Sequence, residues 1–145
     1  MADPQTRFTE LVAVLKAHHY RLTPQRLELV RLIAASEGHP NAARLHAEIA
    51  ARFPTMSLAT VYKTLALLKE INQVVEIDLH GDSHYDGRRP RPHPHLVCLQ
   101  CGSILDAQLE LDPSLIRKLE QSSGFQISHP HITLYGLCPE CKTNP

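Results

Sequence analysis

The chain has 145 residues, with 15 basic and 15 acidic side chains, few aromatics and no Trp. That length allows one ordinary domain or two small ones. The balanced charge excludes a uniformly cationic protein, and any core must be built from Leu, Ile, Val and Ala. No apolar run approaches a membrane span, and the N-terminus lacks the basic-then-apolar pattern of a signal peptide. The chain therefore reads as cytoplasmic with no membrane partner, where four cysteines serve as metal ligands or redox thiols more often than as disulfides.

The first element is an amphipathic helix, with Phe8, Leu11, Val12 and Leu15 at i, i+3, i+4, i+7. It ends near His18-His19-Tyr20. Thr23 suits an N-cap and Pro24 the first helical position of a second helix, whose stripe is Leu27, Val30, Ile33 and Ala34. Gly38-His39-Pro40 stops it. Asn41 caps a third helix with Leu45, Ile49 and Phe53 inward, closed by Pro54. Ser57 caps a fourth, buried along Val61, Leu65 and Leu68, with Ala59, Thr60, Tyr62, Lys63 and Thr64 outward. Short helices followed by one with a polar, hydroxyl-bearing and basic N-terminal face make a helix-turn-helix. Between Phe8 and Lys69, eight basic residues outnumber four acidic ones, an excess that permits DNA binding and equally suits a solvated face. Thr60, Tyr62, Lys63 and Thr64 are the candidates for bases and phosphates, and Arg21, Gln25 and Arg26 for phosphates.

Period two replaces period 3.6 at Val75, Ile77 and Leu79. His80-Gly81-Asp82-Ser83 is turn chemistry, and His84-Tyr85-Asp86 returns as the partner strand, a wing. Residues 87–92 hold Gly87, three arginines and two prolines and read as a linker. Short strands follow at 95–99 and 103–109 around Cys101-Gly102. A helix opens at Leu111-Asp112-Pro113, with Leu115, Ile116 and Leu119 buried, and stops at Gly124. Phe125 through Tyr135 supplies a last strand. The expected architecture is α/β of the α+β kind: a winged helix-turn-helix domain over 1–86, a hinge linker over 87–92 and a small domain over 93–145.

All four cysteines fall in the second part, as Cys98-x-x-Cys101 and Cys138-x-x-Cys141. Two such turns complete a tetrahedral thiolate cage for structural zinc, which would staple a domain too small to build its own core. Two separate dithiols or a redox pair are the alternatives. His93-x-His95 is a second candidate, since residues two apart in a strand face the same way. No acid–base constellation supports a zinc hydrolase or thiol oxidoreductase, and the chain reads as no enzyme.

Arg21-Leu22-Thr23-Pro24-Gln25-Arg26, Gly38-His39-Pro40, Leu58-Ala59-Thr60-Val61-Tyr62-Lys63-Thr64-Leu65, the His-x-His before the first CxxC, and Leu134-Tyr135-Gly136-Leu137-Cys138 together resemble the ferric uptake regulator (Fur) family. The resemblance runs from about Leu15 to Cys141. It implies a homodimeric, metal-dependent regulator of palindromic double-stranded DNA operators, mainly a repressor, whose second domain dimerises. It makes Cys98, Cys101, Cys138 and Cys141 the zinc ligands. It also assigns His39, Asp86, His93, His95 and Asp106 to a regulatory site for ferrous iron or manganese, with Asp82 and His84 as competitors of Asp86. A metal held from both sides of the linker would govern how the paired domains present their recognition helices. Pro92 and Pro94 stand where some iron sensors carry further ligands, which argues against a third site, with His129 and His131 the histidines that could still contribute to one. Asp106 matches the peroxide-sensing branch, in which iron-catalysed oxidation strikes ligands corresponding to His39 and His93. Lys63 matches the iron-responsive repressors instead, and a zinc uptake regulator is the third reading.

Overall fold

The computed structural model of the chain describes residues 3–88 and 91–144. Arg89 and Pro90, inside the expected linker, lie outside the described residues. The chain divides into two compact units, Met1–Pro90 and Arg91–Pro145.

The first unit runs α1 (Pro4–Ala17), α2 (Pro24–Ala35), α3 (Ala42–Ile49), α4 (Leu58–Glu70), β1 (Val75–Leu79) and β2 (Asp82–Asp86). Its helix starts are set locally. Asp3, Thr23, Asn41 and Ser57 each sit in extended backbone, and their side chains accept from the amide three residues on. Each cap satisfies a donor that has no partner inside the helix, worth about 1 kcal/mol. Stripes at helical spacing then meet: Leu11 and Leu15 from α1, Leu29, Val30 and Ile33 from α2, Leu45 and Ile49 from α3, and Val61, Leu65 and Leu68 from α4 share one buried cluster. Helix α3 stops at Ile49, short of Pro54. The chain continues as a turn, and Phe53, half-buried, packs against the cluster from there.

β1 and β2 pair antiparallel with Leu79 opposite Asp82, so the wing turns in two residues rather than four. His80 and Gly81 both take positive φ, 52° and 83°, as a type I′ hairpin requires. At the other end of β2, Gly87 is locked into the first unit. A Cβ there would overlap Ile33 Cγ2 and stand 2.9 Å from Val74 Cγ2. Its carbonyl accepts from Arg7 Nε at 2.8 Å. Arg7 also donates to the Gln73 carbonyl at 2.9 Å and is only 1% exposed. Burial holds the Arg7 pKa below the ordinary arginine range, against the opposing pull of Glu10 and then Asp86. Gly87, expected as the flexible start of the linker, is thus part of the packed winged helix.

The second unit runs β3 (His95–Cys98), β4 (Ile104–Asp106), α5 (Pro113–Ser123), β5 (Thr133–Gly136) and α6 (Pro139–Thr143). Its sheet has the order β4-β3-β5, with β3 antiparallel to β4 and parallel to β5. All three strands are shorter than the sequence pattern suggests, and residues 125–132 form no strand. A larger departure concerns α5. Leu115, Ile116 and Leu119 were expected to be buried, yet no residue of the helix is, and Leu115 and Leu119 are 41% and 45% exposed. The periodicity of α5 is amphipathic, but a unit of this size offers too little surface to cover its apolar face.

Candidate metal centres and nucleic-acid interface

The cysteine cage is built by strand pairing. Parallel pairing sets Cys98 opposite Gly136, and the Leu99 amide donates to the Gly136 carbonyl at 2.9 Å. That brings the second CxxC turn over the first. All four sulfurs lie within 4.8 Å of one another, and none is bridged. Four thiolates about 2.3 Å from a shared tetrahedral ion stand about 3.8 Å apart. Cys101 Sγ and Cys138 Sγ are separated by 3.7 Å. The donor set therefore fits zinc.

The environment already favours ionisation at one corner. Backbone amides, those of Cys101 and then Cys138 foremost, pull the Cys98 thiol down to about 6. Ser103 lowers Cys101. At the opposite corner, desolvation and the neighbouring sulfurs push Cys141 up to about 12. Four adjacent thiols cannot all ionise without a cation to share, and a bound dication would relieve that conflict.

Each unit also carries nitrogen and oxygen donors. In the second, register sets His95 directly opposite Asp106, and their side chains meet with Nε2 and Oδ1 3.2 Å apart. His93, two residues earlier on the same face, places Nε2 3.4 Å from the same oxygen. Its Nδ1 donates to the Arg91 carbonyl at 2.8 Å. That bond fixes the tautomer and leaves Nε2 with a lone pair for an ion. His131 stacks obliquely near His95, with ring centroids 6.1 Å apart. Partial burial, then His95 and His93, hold its pKa below the usual histidine range. His131, beside the set, was not selected by any local motif.

In the first unit, the loop before α3 meets the end of β2, with His39 Nε2 3.6 Å from Asp86 Oδ2. Both side chains are nearly buried, at 9% and 5% exposed. The two competitors have other work: His84 Nε2 faces Asp82 at 3.3 Å, and Asn41 also donates to that carboxylate.

On the helix-turn-helix, α4 presents Tyr62 and Lys63 to solvent, and Thr60 is half-buried with its hydroxyl 2.9 Å from Ser57 Oγ. Thr64 is a correction. It is 2% exposed and its hydroxyl donates to the Thr60 carbonyl, because positions 61, 64, 65 and 68 form the inward stripe. Arg21 is exposed, Gln25 half-buried, and Arg26 is tied back to the Arg21 carbonyl. Sequence reasoning missed two buried charged residues of this unit, Arg7 and Glu28. Arg7 lies on the Leu11–Leu15 stripe at i, i+4 spacing, a signal overridden by its charge. Glu28, 8% exposed, is clasped by Arg31 and Arg52.

Three capped helices, a recognition helix and a wing closed by a two-residue turn define a winged-helix protein, here followed by a small sheet unit with thiol and imidazole–carboxylate donors. The ferric uptake regulator family model matches residues 17–135, and the chain belongs to that family. It is 32% identical over 133 residues to the peroxide-responsive repressor PerR of Staphylococcus aureus strain USA300, covering 92% of this chain and 90% of that one. Among solved structures it resembles the Campylobacter jejuni peroxide stress regulator, at 36% identity and TM-score 0.67, over 90% of this chain and 98% of that chain. The Helicobacter pylori ferric uptake regulator Fur shares the fold, at 21% identity and TM-score 0.73, over 97% of this chain and 95% of that one.

Proposed function

We propose that the chain is a metal-dependent, DNA-binding transcriptional regulator, mainly a repressor, and that it senses peroxide. One observation carries the metal dependence: two sets of nitrogen and oxygen donors, His39 with Asp86 and His93 with His95 and Asp106, stand chemically apart from a four-sulfur cage. Neither set alone fills the coordination sphere of manganese or ferrous iron, so both are assigned to one regulatory ion. Cys98, Cys101, Cys138 and Cys141 are assigned to structural zinc.

Residues 1–86 are read as the DNA-binding domain, with 87–92 as linker and 93–145 as the dimerisation domain. Tyr62 and Lys63, with Thr60, are proposed to face the operator, and Arg21, Gln25 and Arg26 its phosphates. The apolar face left on the second unit supports a homodimer, which suits a palindromic operator. No helix among the described residues is long and apolar enough to cross a membrane. Its DNA partner and reduced thiols support a cytoplasmic location, and regulation rather than turnover is its activity.

Peroxide sensing is supported by Asp106, by 32% identity to a peroxide-responsive repressor and by 36% identity to a peroxide stress regulator. When bound, ferrous iron supplies the electrons that reduce peroxide beside its ligands. His39 and His93 would be among the residues that hold the ion, and oxidation of either imidazole would withdraw a ligand and lower operator affinity. Manganese in the same site would hold the DNA-binding form without the oxidation. Lys63 favours the second reading, an iron-responsive repressor, and a zinc uptake regulator comes third.

The test treats ferrous and manganous forms with low peroxide, then measures operator binding and peptide masses. Loss of binding with one added oxygen on His39 or His93, in the iron form alone, is expected. An iron form that keeps operator binding and gains no oxygen overturns the peroxide reading. Undiminished metal-dependent binding in His93→Ala, with zinc retained, overturns the regulatory site itself.

A further inference from the structure

Strand β2 carries more than Asp86. Residues two apart on a strand face the same side, so His84 shares the face of Asp86, towards residues 38–41. His84 Nδ1 lies 2.8 Å from the His39 carbonyl oxygen. A carbonyl only accepts, so Nδ1 carries the proton and donates. The other ring nitrogen, Nε2, stands 3.3 Å from Asp82 Oδ2. That carboxylate also accepts from Asn41 Nδ2 at 3.1 Å. Asn41 pairs with His84 in an isolated bridge, and the Tyr85 amide donates to the Pro40 carbonyl at 2.9 Å. Three consecutive residues, His39 to Asn41, are therefore sewn to the wing strand.

That seam has a strained segment to hold. His39 takes φ of 54°, a left-handed conformation that is strained for a residue with a Cβ. From that backbone the His39 imidazole reaches Asp86, with Nε2 3.6 Å from Oδ2.

We propose that His84 is a positioning residue for the regulatory site: its imidazole, donating through Nδ1, pins the His39 carbonyl and so presents the His39 ring beside Asp86. The proposal rests on the reading of His39 and Asp86 as ligands. His84 is not a third ligand of that set, because its two ring nitrogens face the His39 carbonyl and the Asp82 carboxylate. Outer partners of this kind set ligand orientation, and losing one typically weakens metal binding by about 10–100-fold. The wing thus supplies one donor, Asp86, and braces the other.

Manganese titration calorimetry on the zinc-loaded full-length protein tests this. The variants are His84→Leu, His84→Asn and Asp86→Ala, each checked for zinc content and thermal midpoint. An Asn amide nitrogen can occupy the place of the imidazole Nδ1 and donate to the same carbonyl. His84→Leu should weaken manganese binding by about tenfold or more, and His84→Asn should recover most of the loss. A merely structural histidine would show no such recovery in affinity at matched thermal midpoints. If Asp86→Ala weakens binding and His84→Leu does not, the positioning role is overturned and the ligand assignment stands. If His84→Asn binds as poorly as His84→Leu at equal stability, donation through Nδ1 is overturned. If Asp86→Ala leaves affinity unchanged, the ligand assignment fails and the proposal with it.

Discussion

The two units solve the problem of small size in opposite ways. The winged helix buries a continuous apolar cluster drawn from all four helices, with Val74 and Tyr85 from the hairpin region. In the second unit, the strongly buried side chains among the described residues are Val97, Cys98, Cys141, His93 and His95. Its leucines on α5 and the sheet remain exposed. One unit is held by a hydrocarbon cluster; the other gathers thiol, imidazole and carboxylate donors and leaves an apolar face exposed.

Zinc removal should break the comparison most severely. A structural zinc site contributes on the order of 10 kcal/mol of folding free energy. Cys141→Ser, or a strong chelator, is expected to abolish the second unit's cooperative unfolding transition while the helical signal of the first unit persists. Loss of both transitions together, seen by calorimetry and circular dichroism, would show that the units are not independent in the way their cores suggest.

Next in size is Leu65→Ala, fully within the winged-helix core. It should cost about 2–5 kcal/mol in the first unit's unfolding, with bound zinc unchanged by metal analysis. Release of zinc at the same denaturant concentration would contradict the division.

Leu119→Lys probes the uncovered face. Leu119 is 45% exposed, so the substitution should leave zinc content intact and shift sedimentation from dimer towards monomer. An unchanged dimer would place the contact elsewhere.

The smallest effect concerns pH. Hydrogen bonding from Arg31, with further help from Arg52, holds the Glu28 carboxyl below its ordinary value of 4.5. Its folded value being depressed, its contribution is fully present above the unfolded value and is lost as pH falls through the folded one. Glu28→Gln should therefore remove about 1 kcal/mol at pH 7, and the difference from wild type should shrink below about pH 4.5. Urea midpoints of the first unit across that range check it; a constant difference would assign the loss to packing.

Legibility in the sequence followed the range of the interactions. Caps at Thr23, Asn41 and Ser57 were readable because each is settled within one helical turn. The helical stripes were readable to within a residue or two, and Thr64 shows the limit. A threonine reads as polar, but its place beside Val61, Leu65 and Leu68 turned it inward. The cysteine pairs were readable because each CxxC turn carries its own geometry. His93 and His95 were visible as a pair and ambiguous as a site.

What the sequence alone determined is therefore local: four capped or periodic helices, a wing, two CxxC turns and a family. What the tertiary structure decided is everything that depends on pairing across distance. Antiparallel register chose Asp106 as the partner of His95, and parallel register stacked the second cysteine turn on the first. The wing's closure put Asp86 beside His39 and left His84 to hold the His39 backbone. Arg7 was buried against Gly87, a residue that composition marked as flexible. The physical reason is common to all of these. A side chain's role in a site is set by neighbours that register and packing bring to it, and those neighbours leave no periodic trace in the chain.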